Sequence, residues 1–530
     1  MRNAFLLLTA SLLPIFGFAD CSTSAPAPER AFLQKVGAES AVVRWRGGRS
    51  VLCAGETADD LSRIFEAELI DGHRSVRIDG LAPDRQYFYE VGDQVRSFRT
   101  APDAGALPSD GRVHVWIIGD SGTAGERNSE GELEHEGEAA AVRDGFRRYN
   151  AEQGAGEPVD LFLLLGDSAY PAGLDEQWQE SFFDVYPDLA ASAMTVPTIG
   201  NHEMGYGLID LCQLRSLLPP RATAACEKGP LFRPLGGASS ASDPMTYDED
   251  GDGVPSGAGP PYLKIFDLPA DGEIGGVASG TELYYSLDYG PLHVISLDSQ
   301  LSNGNSEKRA VMAAWLKRDL EANALPWTVV IFHHPPYSKG ANHDSDTEQR
   351  EIDMRTDFGP LFERHGVDVV YSGHAHSYER SWSLQGHVGA SGTFSAERHA
   401  LLAEGEPAFG GVERPYPQAQ RTVYTVAGNS GHVTSVDGRP PCEGNNRIGC
   451  RFEDWLEHPA HRTFDTSLDD HAPNGIARIG SVVLDVTART LRSRFVDDSG
   501  QVLDEFVIER APSISAFEAP GSPSSGARLD

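Results

Sequence analysis

The sequence is poor in positive charge, with 44 Lys and Arg residues against 78 Asp and Glu residues and a formal net charge of −34 at pH 7. This deficit argues against nucleic acids and anionic membranes as partners, because both are polyanions. The apolar stretch in residues 1–19 is short for a membrane span, and no later run is long and apolar enough to be one. An anionic substrate would therefore need a local positive site within an acidic protein.

Cysteine is scarce, and none of the six cysteines lies in a Cys-x-x-Cys metal pattern. Residues 1–19 combine an early Arg2, an apolar stretch and the small-residue pattern Gly17-Phe-Ala19, which predicts a signal peptide and a secreted or periplasmic protein. Acylation of Cys21 is the competing interpretation, although the preceding Asp20 disfavours it. An even cysteine count in an exported chain predicts disulfides. Pairing neighbours in sequence gives Cys21–Cys53, Cys212–Cys226 and Cys442–Cys450, among many other possible pairings.

The pattern of strands predicts two domains. Residues 25–103 contain short strand candidates separated by turn residues and are predicted to form a small all-β sandwich. Residues 110–510 alternate buried strands with helices, which is typical of an α/β domain, with loop-rich insertions at 205–280 and 385–420. The tail at 511–530 is rich in Ser, Pro, Gly and Ala and is predicted to be disordered.

Five apolar strands of the α/β domain each end in Asp, Asn or His beside a Gly or Pro. The residues are Asp120, Asp167 with Tyr170, Asn201, His333, and His374 with His376. Singly, each could be an ordinary turn, cap or buried polar residue. Together, the ends of strands in a parallel sheet would meet at one rim, where ligand sites form. Mixed oxygen and imidazole donors suit Fe, Zn or Mn better than Ca or Mg.

In order, the five blocks resemble the motifs of the purple acid phosphatases, within the calcineurin-like metallophosphoesterases. The blocks are Gly119-Asp-x-Gly122, Gly166-Asp-x-x-Tyr170, Gly200-Asn-His-Glu203, Val330-x-x-His333 and Gly373-His-x-His376. In addition, Leu81-Ala-Pro83 followed by Tyr87 resembles the tyrosine corner of fibronectin type III modules. The resemblance implies an α/β metallophosphatase domain of mixed β-sheets flanked by helices, with its site at the carboxyl ends of strands, after a fibronectin III-like sandwich.

The resemblance also implies a binuclear metal centre. Fe(III) would be held by Asp120, Asp167, Tyr170 and His376. A divalent Zn, Mn or Fe ion would be held by Asp167, Asn201, His333 and His374. Asp167 bridges the two ions, and their five positive charges exceed the three anionic ligands, which favours binding of a phosphate dianion.

Two further histidines receive catalytic roles from the resemblance. His202 would contact the phosphate, and His343 would protonate the leaving alcohol, although its spacing from His333 departs by about one residue from the family pattern. His334 is interpreted as a supporting loop residue. The implied reaction is attack of metal-bound hydroxide on small phosphate monoesters, which predicts a secreted acid phosphatase.

The acidic segment at Asp248, Asp250 and Asp252 places oxygen donors at alternating positions, as at the start of a calcium loop. The twelfth position is Gly259 and not Glu, so an EF-hand does not match. Calcium binding and a solvated acidic loop both remain open. The sequence also leaves open a phosphodiesterase or nucleotide pyrophosphatase with the same metals, and a non-catalytic calcium-dependent surface protein.

Overall fold

The structure is a computed structural model of the 530-residue chain. It describes residues 21, 25–92, 94–125, 133, 135–153, 156, 158–204, 208–210, 232–234, 260–302, 306–340, 343–401, 421–433, 456–467 and 471–510. The predicted signal peptide, the three aspartates at 248–252, Cys212, Cys226, Cys442, Cys450 and the predicted tail at 511–530 lie outside these residues.

The N-terminal region is all-β. Its strands are β1 (Pro28–Gln34), β2 (Ser40–Gly47), β3 (Val51–Gly55), β4 (Arg63–Glu66), β5 (Glu68–Ile70), β6 (His73–Asp79), β7 (Gln86–Glu90) and β8 (Val95–Arg99). Strands β4-β3-β7-β8 form one sheet, and β1-β2-β6-β5 belong to another. The hydroxyl of Tyr87 accepts a hydrogen bond of 2.8 Å from the backbone N–H of Ala82, as the tyrosine corner predicts. The predicted Cys21–Cys53 disulfide is present.

The second region is an α/β domain, which confirms the predicted fold class. Its strands are β9 (Val113–Ile118), β10 (Leu161–Leu164), β11 (Met194–Pro197), β12 (Leu208–Asp210), β13 (Phe232–Pro234), β14 (Tyr285–Tyr289), β15 (Leu292–Ser296), β16 (Trp327–Ile331), β17 (Val369–Ser372), β18 (Tyr378–Leu384), β19 (Ala400–Leu401), β20 (Thr422–Ala427), β21 (His471–Ala472), β22 (Gly475–Ile476), β23 (Gly480–Val486), β24 (Thr490–Asp497) and β25 (Val502–Glu509).

Helices connect these strands. The α-helices are α1 (Glu138–Glu152), α2 (Asp175–Trp178), α3 (Pro187–Ser192), α4 (Pro261–Ile265), α5 (Ser306–Ala322), α6 (Gln349–Asp353), α7 (Gly359–His365) and α8 (Ala396–His399). Short 3₁₀ helices occupy Ser121–Gly125, Ser299–Ser302 and Ser391–Thr393, and π-helical turns occupy Gln179–Phe183 and Met354–Phe358. None of the helices in the described residues is long and apolar enough to cross a bilayer.

Two large sheets form the frame of the α/β domain. One has the order β25-β24-β23-β9-β10-β11 and continues into β1-β2-β6-β5, and the other has the order β14-β15-β16-β17-β20-β18-β22-β21. Strands β9, β10, β11, β16 and β17 are buried along their whole length, as their apolar sequences require. Trp116 of β9 stacks between Phe146 of α1 and Phe162 of β10, at centroid distances of 4.5 and 4.9 Å.

The N-terminal sandwich and the α/β domain share a sheet, which the sequence did not indicate. Leu33 of β1 lies opposite Met194 of β11 in a parallel pairing. The guanidinium of Arg30 contacts the carboxylate of Asp175 at 2.9 Å, and the side chain of Arg30 is fully buried. These contacts hold the sandwich against the edge of the β25-β24-β23-β9-β10-β11 sheet.

Parts of both predicted insertions lie among the described residues. In the first, α4 places Tyr262 and Ile265 in the core. The hydroxyl of Tyr262 donates a hydrogen bond of 3.2 Å to the carbonyl oxygen of Pro197 at the end of β11. In the second, residues 385–401 include α8 and the short β19, which pairs with β18.

Candidate metal centre

The carboxyl ends of five strands converge on one group of polar side chains. Strands β9, β10 and β11 are parallel neighbours in the first sheet, and β16 and β17 are parallel neighbours in the second. The expectation that one parallel sheet would form the rim is therefore wrong. Two sheets face each other and supply three and two strand ends, respectively, which places donors on both sides of the site.

The hydroxyl of Tyr170 lies at the meeting point of the first predicted donor set. It is 3.2 Å from Asp167 Oδ2, 3.4 Å from Asp120 Oδ1 and 3.2 Å from His376 Nε2. His376 Nε2 is in turn 3.5 Å from Asp120 Oδ1. The structure thus brings together all four residues that sequence reasoning assigned to the first metal.

His333 organises the second donor set. Its Nδ1–H donates to the carbonyl oxygen of Leu165 at 2.9 Å, which leaves Nε2 available as an electron-pair donor. That Nε2 is 3.1 Å from Asp167 Oδ2 and 3.0 Å from Asn201 Oδ1. Asp167 therefore faces both donor sets, as a bridging ligand would.

His374 follows β17 and contacts both the donor group and a neighbouring carboxylate. Its ring centroid lies 5.0 Å from that of His333. Its backbone N–H donates to Asp120 Oδ2 at 2.8 Å, and its Nε2 is 3.1 Å from Glu348 Oε2. His374 thus lies beside His333, while its Nε2 is tied to Glu348, a carboxylate outside the five strand-end motifs.

The spacing of the donors fits bound metal ions. Ligands about 2.0–2.2 Å from an ion lie about 2.8–3.6 Å from one another at octahedral or tetrahedral angles. The distances from 3.1 to 3.5 Å among Asp120, Asp167, Tyr170, His333 and His376 fall in this range. A phenol, carboxylates and imidazoles together form a donor set suited to iron and zinc-type ions.

The charges of Asp167 and His333 stabilise each other in the buried site. Although burial opposes ionisation, His333 and His202 hold the pKa of Asp167 well below its usual range. Burial likewise opposes the charge on His333, but Asp167 and Asp120 raise the pKa of His333 to about 9. Asp167 is therefore ionised and in direct contact with His333. A bound metal ion would displace the proton from the His333 imidazole.

Three of the proposed ligands have strained backbones. Asp120, Asp167 and His374 have φ values of 55°, 53° and 70°, in the left-handed region that residues with a Cβ seldom adopt. Such strain costs on the order of 1–3 kcal/mol per residue and concentrates at functional sites. Gly373 allows the close approach, because a Cβ there would collide with the Asp120 carboxylate.

His202 and His343 lie on opposite borders of the donor group. The Nδ1–H of His202 donates to the carbonyl oxygen of Pro171 at 2.7 Å, its ring stacks on Tyr170 at 3.9 Å, and its Nε2 is 3.9 Å from Asp167 Oδ2. The ring of His343 lies 3.7 Å from that of His374. Both side chains are partly exposed, so a substrate could reach them.

Two carboxylates with clear positions in the site are absent from the ligand set predicted from the sequence. Glu203 is fully buried and accepts hydrogen bonds from the backbone N–H groups of Asp167, Ser168 and Gly200, at 2.6 to 2.8 Å. Burial and the charge of Asp167 raise the pKa of Glu203 to about 8. The available signal was its place at the end of the Gly200–Glu203 block.

Glu348 is the second missed carboxylate. It bridges His343 Nδ1 at 2.8 Å and His374 Nε2 at 3.1 Å. Despite burial, the two histidines hold the pKa of Glu348 well below its usual range. Its only sequence signal was an acidic residue five positions after His343.

His334 is buried next to His374, on the side of the donor group away from solvent. It is buried, its Nδ1 is 2.8 Å from Ser299 Oγ, and its ring is 4.3 Å from that of His374. Burial and the neighbouring histidines push the pKa of His334 well below 6.5, so it stays neutral. This position agrees with its interpretation as a supporting residue.

Comparison with known proteins places this geometry in a family. Residues 113–378 match the family described as Calcineurin-like phosphoesterase. Purple acid phosphatase 23 of Arabidopsis thaliana is 27% identical over 320 residues, which is 58% of this chain and 57% of that protein. Acid phosphatase type 7 of Mus musculus is 29% identical over 185 residues, covering 32% of this chain and 36% of that protein. The chain thus spans little more than half the length of the curated plant relatives that it matches over the longest stretches.

Solved structures support the fold. A purple acid phosphatase, PPD1, from yellow lupin (Lupinus luteus) seeds aligns with 94% of this chain and 78% of its own, with a TM-score of 0.56 and 16% identity. The structure of PhoD aligns with 93% of this chain and 90% of its own, with a TM-score of 0.51 and 13% identity. The matched family covers half of the chain and contains all five strand-end motifs, so this protein belongs to the calcineurin-like phosphoesterases.

Proposed function

We propose that this protein is an exported acid phosphatase of the purple type, which hydrolyses small phosphate monoesters at a centre of Fe(III) and a divalent Zn, Mn or Fe ion. The observation that carries the proposal is the position of Tyr170, whose hydroxyl lies 3.2–3.4 Å from Asp120, Asp167 and His376. A phenolic oxygen among carboxylates and an imidazole is the donor set that a hard trivalent ion favours. The similarity to purple acid phosphatases supports the same function.

The residues that would hold the ions are the seven donors described above, with Asp167 shared. When bound, the two ions would acidify a water molecule and stabilise charge on phosphate oxygens. Hydrogen bonds within the chain orient the donor residues. Leu165 holds the tautomer of His333, and Glu203 fixes the loop that carries Asp167 through three backbone hydrogen bonds.

Substrate groups would meet the two outer histidines. The Nδ1–H of His202 is engaged by the Pro171 carbonyl, so its Nε2 is turned toward the centre, where it can contact a phosphate oxygen. His343 is held by Glu348 through Nδ1, which leaves Nε2 to deliver a proton to a leaving alcohol. This division of roles supports ester hydrolysis, because the leaving alkoxide needs a proton.

Export is part of the proposal. The Cys21–Cys53 disulfide is typical of proteins that fold in an oxidising compartment. The −34 net charge also suits an exported protein that binds no polyanionic partner.

The test is a comparison of ester classes on the purified full chain. We expect iron together with a second metal, and hydrolysis of an aryl monoester across the acid range at a kcat/KM well above that for the matched aryl diester. Asp167→Asn should abolish both reactions by removing the shared ligand. Faster hydrolysis of the diester would replace the proposed function with a phosphodiesterase, and inactivity of the metal-loaded chain on both esters would contradict an enzymatic function.

A further inference from the structure

A second group of metal-type ligands lies beside the centre and uses none of its seven donors. It consists of His135, Glu138 at the start of α1, and His432 in the loop after β20. One donor atom from each of the three side chains lies within 4.8 Å of the other two. None of these residues belongs to the five strand-end motifs, and all three are partly buried.

The distances within this group differ from those of a hydrogen-bonded cluster. Glu138 Oε1 is 3.7 Å from His135 Nδ1, and Glu138 Oε2 is 3.6 Å from His432 Nδ1. Hydrogen bonds between nitrogen and oxygen are about 2.7–3.2 Å long, as in the 2.8 Å contact of His343 with Glu348. In contrast, ligands about 2.0–2.2 Å from a tetrahedral ion are about 3.3–3.6 Å apart.

Glu138 supplies a separate observation. Among the described residues, its Oε2 is buried and has no hydrogen-bond partner. An ionised oxygen in that condition is destabilising unless a cation compensates it. Burial disfavours the charge, yet the adjacent His135 and His432 hold the pKa of Glu138 at about 2. The carboxylate is therefore an ionised donor at physiological pH.

The imidazole rings of His135 and His432 are in contact. The ring centroids of His135 and His432 are 3.6 Å apart, although they come from distant parts of the chain. Two adjacent imidazolium ions would repel each other, so at least one ring is better placed as a neutral donor.

The loop that carries His432 is packed on the centre. A Cβ at Gly431 would collide with Thr123 and approach the carbonyl oxygen of Asp120 to 2.7 Å, so only glycine allows this loop to lie so close. The ring of His432 is 5.7 Å from that of His376. The group therefore lies directly next to the first donor set.

We propose that His135, Glu138 and His432 bind a third metal ion, a zinc-type divalent ion with an open coordination position. Two imidazoles and one carboxylate select this class of ion, and three protein ligands leave a fourth position for water or a substrate oxygen. The ion would add positive charge beside His376 in a chain of net charge −34, which favours the approach of anionic esters. The site is built from its own three residues and does not depend on the proposed function.

The test counts zinc on the intact, purified chain. With the binuclear centre already filled, equilibration with zinc should add one further equivalent per chain, measured by elemental analysis. Glu138→Gln and His432→Ala should each weaken binding of this equivalent by at least about 100-fold in a titration against a chromogenic chelator, since loss of a direct ligand should exceed the effect of losing an outer partner. Glu136→Gln changes an exposed carboxylate two positions away and should leave the zinc affinity unchanged.

A cobalt spectrum provides a second measurement. Cobalt in place of the added zinc should show the intense visible bands of a four-coordinate ion, and these bands should be absent from Glu138→Gln. Unchanged melting temperature and retention of the other metal equivalents would show that the variants are folded.

Absence of an added equivalent in the wild type, or its full retention in Glu138→Gln, would overturn the third site. Because the readout is metal content, a chain that binds the added ion but hydrolyses no ester would contradict only the proposed function.

Discussion

Replacement of Tyr170 by Phe tests the assignment of the first metal most directly. The substitution removes one oxygen and keeps the ring, so the stacking on His202 at 3.9 Å is preserved. The oxygen that is lost lies 3.2–3.4 Å from three other donor atoms. The donor set therefore loses one anionic ligand, while Asp120 Oδ1 and His376 Nε2 stay 3.5 Å apart.

The expected effects differ in size. Loss of one buried hydrogen-bonding hydroxyl should lower the free energy of unfolding by only about 1 kcal/mol. Loss of a direct ligand should weaken iron binding by at least about 10–100-fold, because removal of an outer partner already has that effect. A phenolate bound to Fe(III) absorbs broadly in the visible, so the pink to purple colour of the wild type should disappear in the variant. Activity should persist in part, because Asp167 remains.

The matched control is Tyr371→Phe. Tyr371 is also fully buried, and its hydroxyl donates a hydrogen bond of 2.9 Å to Ser493 Oγ between the two sheets. This variant should lose about 1 kcal/mol of stability as well, but should keep its iron and its colour. Visible spectra, iron analysis and chemical denaturation on the three proteins give the answer. An iron-loaded wild type without colour, or a coloured Tyr170→Phe variant, would refute the role of Tyr170.

Three other predictions concern separate parts of the chain. His343→Ala should lower kcat by roughly 10²–10⁴-fold for alkyl phosphates and far less for activated aryl phosphates, and equal losses would argue against a proton donor. Burial opposes the charge on His293, but Asp288 and Asp319 raise its pKa from 6.5 to about 9. The protonated ring should therefore contribute roughly 3 kcal/mol to the free energy of unfolding below pH 6.5, and this contribution should be lost as the pH rises through 9. Denaturation at several pH values should show this loss in the wild type and not in His293→Gln. A calcium-selective chelator should lower the melting temperature if residues 248–253 bind calcium, without removing iron, and no change would favour a solvated loop.

Much of the site could be predicted because its residues follow a local rule. Asp120, Asp167 and Asn201 each follow an apolar strand of one sheet, and the carboxyl ends of neighbouring parallel strands lie at the same edge whatever the intervening sequence. The tyrosine corner was equally local, since Tyr87 bonds to Ala82 only five residues away. Patterns of this kind depend on neighbouring residues and survive without knowledge of the tertiary structure.

Other features depend on tertiary placement and left no such pattern. The division of the five strands between two sheets cannot be deduced from strands that are apolar on both faces. Glu348 and Glu203 act through contacts with residues of other loops. His432 meets Glu138 only because the loop after β20 folds onto the loop after β9. Sequence spacing carries no information about these encounters.

The pairing of β1 with β11 has a consequence for how the chain can be divided. Without the N-terminal sandwich, β11 would be the outermost strand of an apolar sheet, with unpaired N–H and C=O groups facing water. Exposed edges of this kind recruit strands from other chains. The sandwich thus covers this edge of the α/β domain and prevents self-association through it. Removal of residues 25–100 should yield an aggregating protein rather than a smaller enzyme.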